Sequence, residues 1–177
     1  MRFGSVGFGI VFCVVSGSAM AELSVTSPSF QNGGDIPKLH ACAAKGGENT
    51  SIPLAWSGAV EAVSSYAVVM DDEVSPCRKG DGACRHWGVY NLPKTVSSLE
   101  PNHPMASITG VALGRSYSGR EGYDGMCPPG PHVYTISVYA LKEGMPQLQT
   151  GVALTRSQFE SQYQAYILDK GSLVGNF

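Results

Sequence analysis

The sequence predicts a mainly β domain with one helix near the C-terminus, on three observations. Short runs rich in β-branched and aromatic residues recur between turn signals, at residues 54–56, 65–70, 86–92 and 133–141. Glycine and proline are plentiful, 22 and 11 among 177 residues, so turns and loops occupy much of the chain. One late stretch places apolar residues at helical intervals.

Taken in order, the chain opens with Arg2, an apolar run over residues 6–15 and small residues ending in Ala19-Met20-Ala21. This pattern predicts a signal peptide over residues 1–21, cleaved after Ala21, and therefore a periplasmic or secreted protein. Residues 22–177 then suit a single domain with a real core, and 43% hydrophobic residues argue against disorder. No later segment is apolar for long enough to be a transmembrane helix.

Residues 65–70, Ser-Tyr-Ala-Val-Val-Met, are almost continuously apolar and read as a central strand covered on both faces. Over residues 133–141, Tyr134, Ile136, Val138 and Ala140 share one face, and Val133, Thr135, Ser137 and Tyr139 share the other. His132 falls on the Tyr134 side. Residues 100–121 are rich in Gly and Ser and predict a loop crossing that borders a site. In the late helix, Ser157-x-x-Glu160 has capping-box spacing, Phe159, Tyr163, Tyr166 and Ile167 recur helically, and Lys170-Gly171 supplies a stop.

Charge and cysteine content narrow the function classes. Twelve Lys and Arg against 14 Asp and Glu, with no basic patch, argue against a nucleic-acid partner. Cys13 leaves with the leader, and Cys42, Cys77, Cys84 and Cys127 remain, an even number in an oxidising compartment. Three connectivities are possible. The polar loop Arg-Lys-Gly-Asp-Gly-Ala between Cys77 and Cys84 favours pairing those two, which leaves Cys42 with Cys127. A four-cysteine zinc site is the rival, and the chain has no C-x-x-C spacing to support it.

Three segments gather polar residues that surface exposure does not explain: Asp71-Asp72 at the end of an apolar run, Arg85-His86-Trp87, and Gly122-Tyr-Asp-Gly-Met-Cys-Pro-Pro-Gly-Pro-His132-Val-Tyr134. An acid and two imidazoles brought together beside a Gly/Pro-stiffened turn suit a small anion, because backbone N–H groups and histidines donate hydrogen bonds. His40 and His103 stand in polar loop contexts and are expected in solvent. Arg78 and Lys79 are expected at a solvated loop tip.

These residues, in this order and spacing, resemble the phosphatidylethanolamine-binding protein family in its bacterial form. Ser27-Pro-x-Phe30, Ile36-Pro37, Ser51-x-Pro-Leu-x-Trp56, Tyr90-Asn91-x-Pro93, Tyr139-Ala140-Leu141 and Leu173-Val-Gly175 extend the likeness over almost the whole of residues 22–177. The resemblance implies an antiparallel β-sandwich with a few peripheral helices and a small anion pocket for phosphate-type head groups such as phosphoethanolamine. It places Asp72, His86, Tyr123, Cys127, Pro128, His132 and Tyr134 at that pocket, with backbone donors from Gly125 to Cys127, and needs no metal or cofactor. It implies binding and modulation of a partner protein more strongly than turnover. Two alternatives stay open: a secreted inhibitor or interaction protein acting through the Cys77–Cys84 loop, and a hydrolase using the histidines with Asp72, for which no H-E-x-x-H or G-x-S-x-G segment is present.

The chain departs from the family pattern in three places. Val74 and Val133 replace an acid and a base, and Cys84-Arg85 stands where a Trp precedes the histidine. We expect the two valines to exchange an ion pair for an apolar contact, since replacing a whole buried pair costs far less than losing one partner.

Overall fold

The computed structural model describes residues 22–58, 61–72, 77 and 82–177. The expected leader lies outside the described residues. So do Val74, Arg78 and Lys79, and with Val74 the expected valine contact.

Among the described residues the strands are β1 (Ser24–Thr26), β2 (Leu54–Ser57), β3 (Ser65–Asp72), β4 (Cys84–Pro93), β5 (Ser98–Leu99), β6 (Ala112–Leu113), β7 (Val133–Leu141) and β8 (Ile167–Asn176). They form two antiparallel sheets, β1-β2-β5 and β6-β4-β3-β7-β8, with short 3-10 turns and one α-helix, α1 (Arg156–Tyr163), at the periphery. The expected antiparallel, mainly β architecture with a late helix is what the chain adopts.

Strand β3 is central in the larger sheet, as its apolar run predicts, and its two faces feed two clusters. Tyr66, Val68 and Met70 join Leu54, Trp56 and Leu99 of the smaller sheet and Ile136 and Val138 of β7. On the opposite face Ala67 and Val69 join Tyr90, Tyr139, Leu141 and Phe159 of α1. The Phe159 ring lies 4.7 Å from Tyr139 and 6.0 Å from Tyr90. Such aromatic pairs add about 0.5–1.5 kcal/mol each beyond their burial.

The C-terminal region differs from expectation in two ways. The helix begins two residues earlier, with Thr155 as its cap: Gln158 N donates to Thr155 Oγ1 at 3.2 Å, and Thr155 N donates to Gln158 Oε1 at 2.9 Å. Both Thr155-x-x-Gln158 and Ser157-x-x-Glu160 have the right spacing. The earlier one wins because Asp71 captures Arg156 N at 2.7 Å. The helix also stops at Tyr163, and Lys170-Gly171 lies inside β8, which pairs with β7 from Val133 to Leu141. Long-range pairing overrides the local helical pattern here. Gly171 fits the strand because an added Cβ would stand 2.7 Å from Val25 Cγ2 and collide with Leu23 O, where β1 crosses over.

His40 is buried rather than solvated, 1% exposed, with Nδ1 2.8 Å from Thr50 O and Nε2 3.0 Å from Ser29 Oγ. Polar neighbours in the sequence concealed a histidine whose two nitrogens both find partners inside. The crossing at residues 100–121 is largely irregular, interrupted by a 3-10 turn at Met105–Ser107 and by β6 on the edge of β4.

Candidate functional site

Three strand ends meet at one corner of the larger sheet: β3 finishes with Asp72, β4 starts with Cys84, and β7 starts with Val133. Neighbouring residues of a strand face opposite ways, so the acidic pair diverges. Asp71 turns towards α1, where its carboxylate accepts from Arg156 Nε at 2.6 Å. Asp72, 3% exposed, turns into the corner, where its Oδ2 lies 2.5 Å from His132 Nδ1. His132 is held from behind by Phe177 through two backbone hydrogen bonds, 2.9 and 3.0 Å.

His86 enters through a β-bulge. Met70 pairs with Trp87 while Asp71 pairs with Arg85, so His86 is the extra residue in β4. Bulges commonly re-aim a side chain beside a site, and this one frees the His86 backbone for another partner. That partner is Asp124, whose N donates to His86 O at 2.8 Å while its O lies 2.7 Å from His86 Nδ1. A carbonyl only accepts, so His86 Nδ1 carries a hydrogen, and in the neutral ring Nε2 keeps a lone pair. Tyr134 stands edge-on to the imidazole at 5.1 Å and Tyr117 lies tilted at 4.9 Å.

The Gly/Pro turn is stitched to residues 40–50. Cys42 N donates to Met126 O at 3.0 Å, Gly125 N donates to Asn49 Oδ1 at 2.6 Å, and Tyr123 OH donates to His40 O at 2.8 Å. Cys42 and Cys127 are disulfide-bonded, as are Cys77 and Cys84, with Cα–Cα distances of 5.6 and 4.7 Å. Gly125 is needed for close approach, since a Cβ there would meet His40 O at 2.6 Å and Ala41 C at 2.7 Å. Gly125→Ala is therefore expected to cost about 1–3 kcal/mol, the range for overpacking a tight contact, measured as a lowered denaturation midpoint. A midpoint equal to wild type would contradict the close approach.

The hollow enclosed by these groups measures about 100 Å³ and is lined by Asp72, His86, His132, Tyr134, Cys127 and Pro128 from the expected set, joined by Tyr117, Pro129, Cys77 and Cys84. Its volume is well below the roughly 300–1,000 Å³ of drug-sized sites, so it has room for a small group only. Burial lowers the His86 pKa from its ordinary value, outweighing the Asp124 carbonyl bond and the nearby Asp72, Asp124 and Asp71 carboxylates that raise it. Burial likewise raises the Tyr134 and Tyr117 phenols, which stay protonated at neutral pH.

Tyr123 is a correction. It does not line this hollow; it lies in a separate groove of about 290 Å³ with Trp87 and Arg120, and its hydroxyl is engaged by His40 O. Tyr123 and Cys127 part company although both belong to the same motif, because the Tyr123 hydroxyl is drawn to His40 O and the Cys127 sulfur to Cys42. Gly125 N is likewise committed to Asn49 and is not an open donor. Sequence reading missed Tyr117 and Asp124. The expectation that residues 100–121 border a site was the available signal for Tyr117, whereas Asp124 acts largely through its backbone, which no side-chain pattern reveals. Among the described residues no group of three or more His, Cys, Asp or Glu side chains could hold a metal ion.

The family model described as phosphatidylethanolamine-binding protein matches residues 26–177. A UPF0098 protein of Aquifex aeolicus is 32% identical over 159 residues, covering 88% of each chain. Among solved structures, Escherichia coli YbcL, described as a member of the mammalian PEBP family, superposes with a TM-score of 0.75 at 28% identity, covering 89% of this chain and 98% of its own. CT736 of Chlamydia trachomatis, described as a phosphatidylethanolamine-binding protein homolog, gives 0.72 at 28% identity over 89% of this chain and 97% of its own.

Proposed function

The chain belongs to the phosphatidylethanolamine-binding protein family, a membership that supports a ligand-binding or regulatory role, and from that premise we propose an exported binding protein whose corner hollow takes phosphate-type head groups and whose occupancy modulates a protein partner. One observation carries this reading: the Asp72–His132 pair, 2.5 Å apart, and the bulged His86 converge with two protonated phenols on a hollow of head-group size. Tyr134 supplies a hydroxyl donor, while the Tyr117 hydroxyl packs beside it and donates to Gly125 O at 3.3 Å. The cysteines in the wall are disulfide-bonded, which leaves them without a thiolate nucleophile and supports binding over acyl transfer.

Titration with inorganic phosphate, phosphoethanolamine and acetate tests the reading. Wild type is expected to bind phosphate, and His86→Ala and His132→Ala to bind it about tenfold more weakly, the low end for losing a hydrogen bond to a charged partner. Equal affinity in all three proteins would remove the hollow from the account.

The lowered pKa of His86 adds a pH dependence. Neutral His86 offers Nε2 only as an acceptor, so an anion without a proton of its own needs the ring charged. Affinity for sulfate, which keeps its charge over this range, is expected to rise as pH falls from 8 to 6. One linked proton limits the slope to about tenfold per pH unit. The part of that slope missing in His86→Gln is the part His86 carries, and an unchanged slope would count against its role. Folding stability runs the other way: with the folded pKa depressed, the contribution of His86 is complete above about pH 6.5 and is lost as pH falls below it.

Export is tested by the N-terminal residue of protein recovered outside the cytoplasm, expected to be Glu22. A retained Met1 would contradict it.

A further inference from the structure

We propose that the Cys77–Cys84 disulfide is a redox-modifiable site whose reduction by a dithiol weakens the anion hollow beside it. The inference rests on the anion-pocket reading above and concerns its regulation. Both cysteines line the hollow, together with Asp72 and His86. Cys77 is exposed and Cys84 is 2% exposed, so an incoming thiolate has access to one sulfur of the pair.

The exchange is balanced. The thiolate of a dithiol attacks Cys77 Sγ, the Cys77–Cys84 bond breaks, and Cys84 leaves with the electron pair as a thiolate. The second thiol of the reductant then attacks the mixed disulfide and Cys77 leaves as a thiolate. Two electrons and two protons pass to the protein, and the reductant ends as its own disulfide.

The consequence for the hollow follows from where the link sits. Beyond the bulge at His86, the β3–β4 ladder has only two rungs, Asp71 to Arg85 and Asp72 to Cys84. Cys84 is thus both the final rung against Asp72 and one end of the disulfide that closes the connection back from β3. Cutting the link frees that final rung to fray. β7 still pairs Asp72 with Tyr134, so the corner loosens without unfolding. His86 keeps both backbone links to Asp124. Reduction therefore acts on the Asp72–His132 half of the site and spares the His86 half. The other disulfide, Cys42–Cys127, spans 85 residues against seven and anchors the Gly/Pro turn, so it is a staple of the fold and not a local gate.

The test measures inorganic phosphate binding by calorimetry in three samples: oxidised wild type, wild type treated with dithiothreitol until alkylation and mass analysis show only Cys77 and Cys84 open, and Cys77→Ser/Cys84→Ser. The last two are expected to bind about tenfold more weakly than the first, with reoxidation restoring only the wild type. In histidine NMR spectra, reduction is expected to shift the His132 resonances and leave the His86 Nδ1–H signal in place. Equal affinity before and after reduction overturns the gate while leaving the hollow standing. Loss of the His86 signal together with binding shows general unfolding and also overturns it. Absence of phosphate binding in the oxidised protein removes the anion-pocket reading itself, and the gate with it.

Discussion

Cys42→Ser/Cys127→Ser lowers the stability of the fold by about 4.6 kcal/mol, while Cys77→Ser/Cys84→Ser lowers it by only about 2.5 kcal/mol, on the loop-closure estimate for links spanning 85 and seven residues. The longer link removes far more freedom from the unfolded chain. In the folded protein the turn it anchors keeps other ties, from Cys42 N to Met126 O and from Gly125 N to Asn49 Oδ1, so the loss falls mainly on the unfolded ensemble. Guanidinium unfolding of the two double variants is the measurement. Equal shifts in midpoint at unchanged slope would show that closure entropy does not set the order.

Asp71→Ala costs about 3 kcal/mol, the lower part of the range for removing one partner of a buried ion pair. Asp71 is 1% exposed, and its two oxygens accept from Arg156 Nε and N, which joins the central strand to the first turn of α1. Losing both acceptors strips the helix start of its anchor. Asp71→Asn keeps one carbonyl oxygen and is expected to lose less. Lys170→Ala serves as the contrast: its ion pair with Glu160, at 3.2 Å, is 42% exposed on the lysine side and is worth about 0–1 kcal/mol. Equal midpoints for Asp71→Ala and Lys170→Ala would refute the burial argument.

The strands that were legible are those whose pattern matches their surroundings. β3 was readable because it is covered on both faces, and β7 because its alternate residues feed two different apolar clusters. β8 was not, since Tyr163, Tyr166 and Ile167 mimic a helical stripe and its Gly171 mimics a helix stop. Only the β7 edge, which β8 pairs along its whole length, explains its extended form. Two bulges in β4 were equally hidden. Asn91, at φ 59°, lies where the register slips between Tyr66 and Val68, and His86 lies at the other slip.

Residue chemistry was therefore written in the chain: an acid pair, two histidines, four cysteines and a stiff Gly/Pro turn, in an order specific enough to indicate the family. Folding alone decided which acid meets His132, which tyrosine reaches the hollow, and which ring nitrogen of His86 bears the proton. The reason is geometric. Successive strand residues point to opposite faces, and a bulge shifts that alternation by one, so orientation is settled only when each strand finds its neighbours.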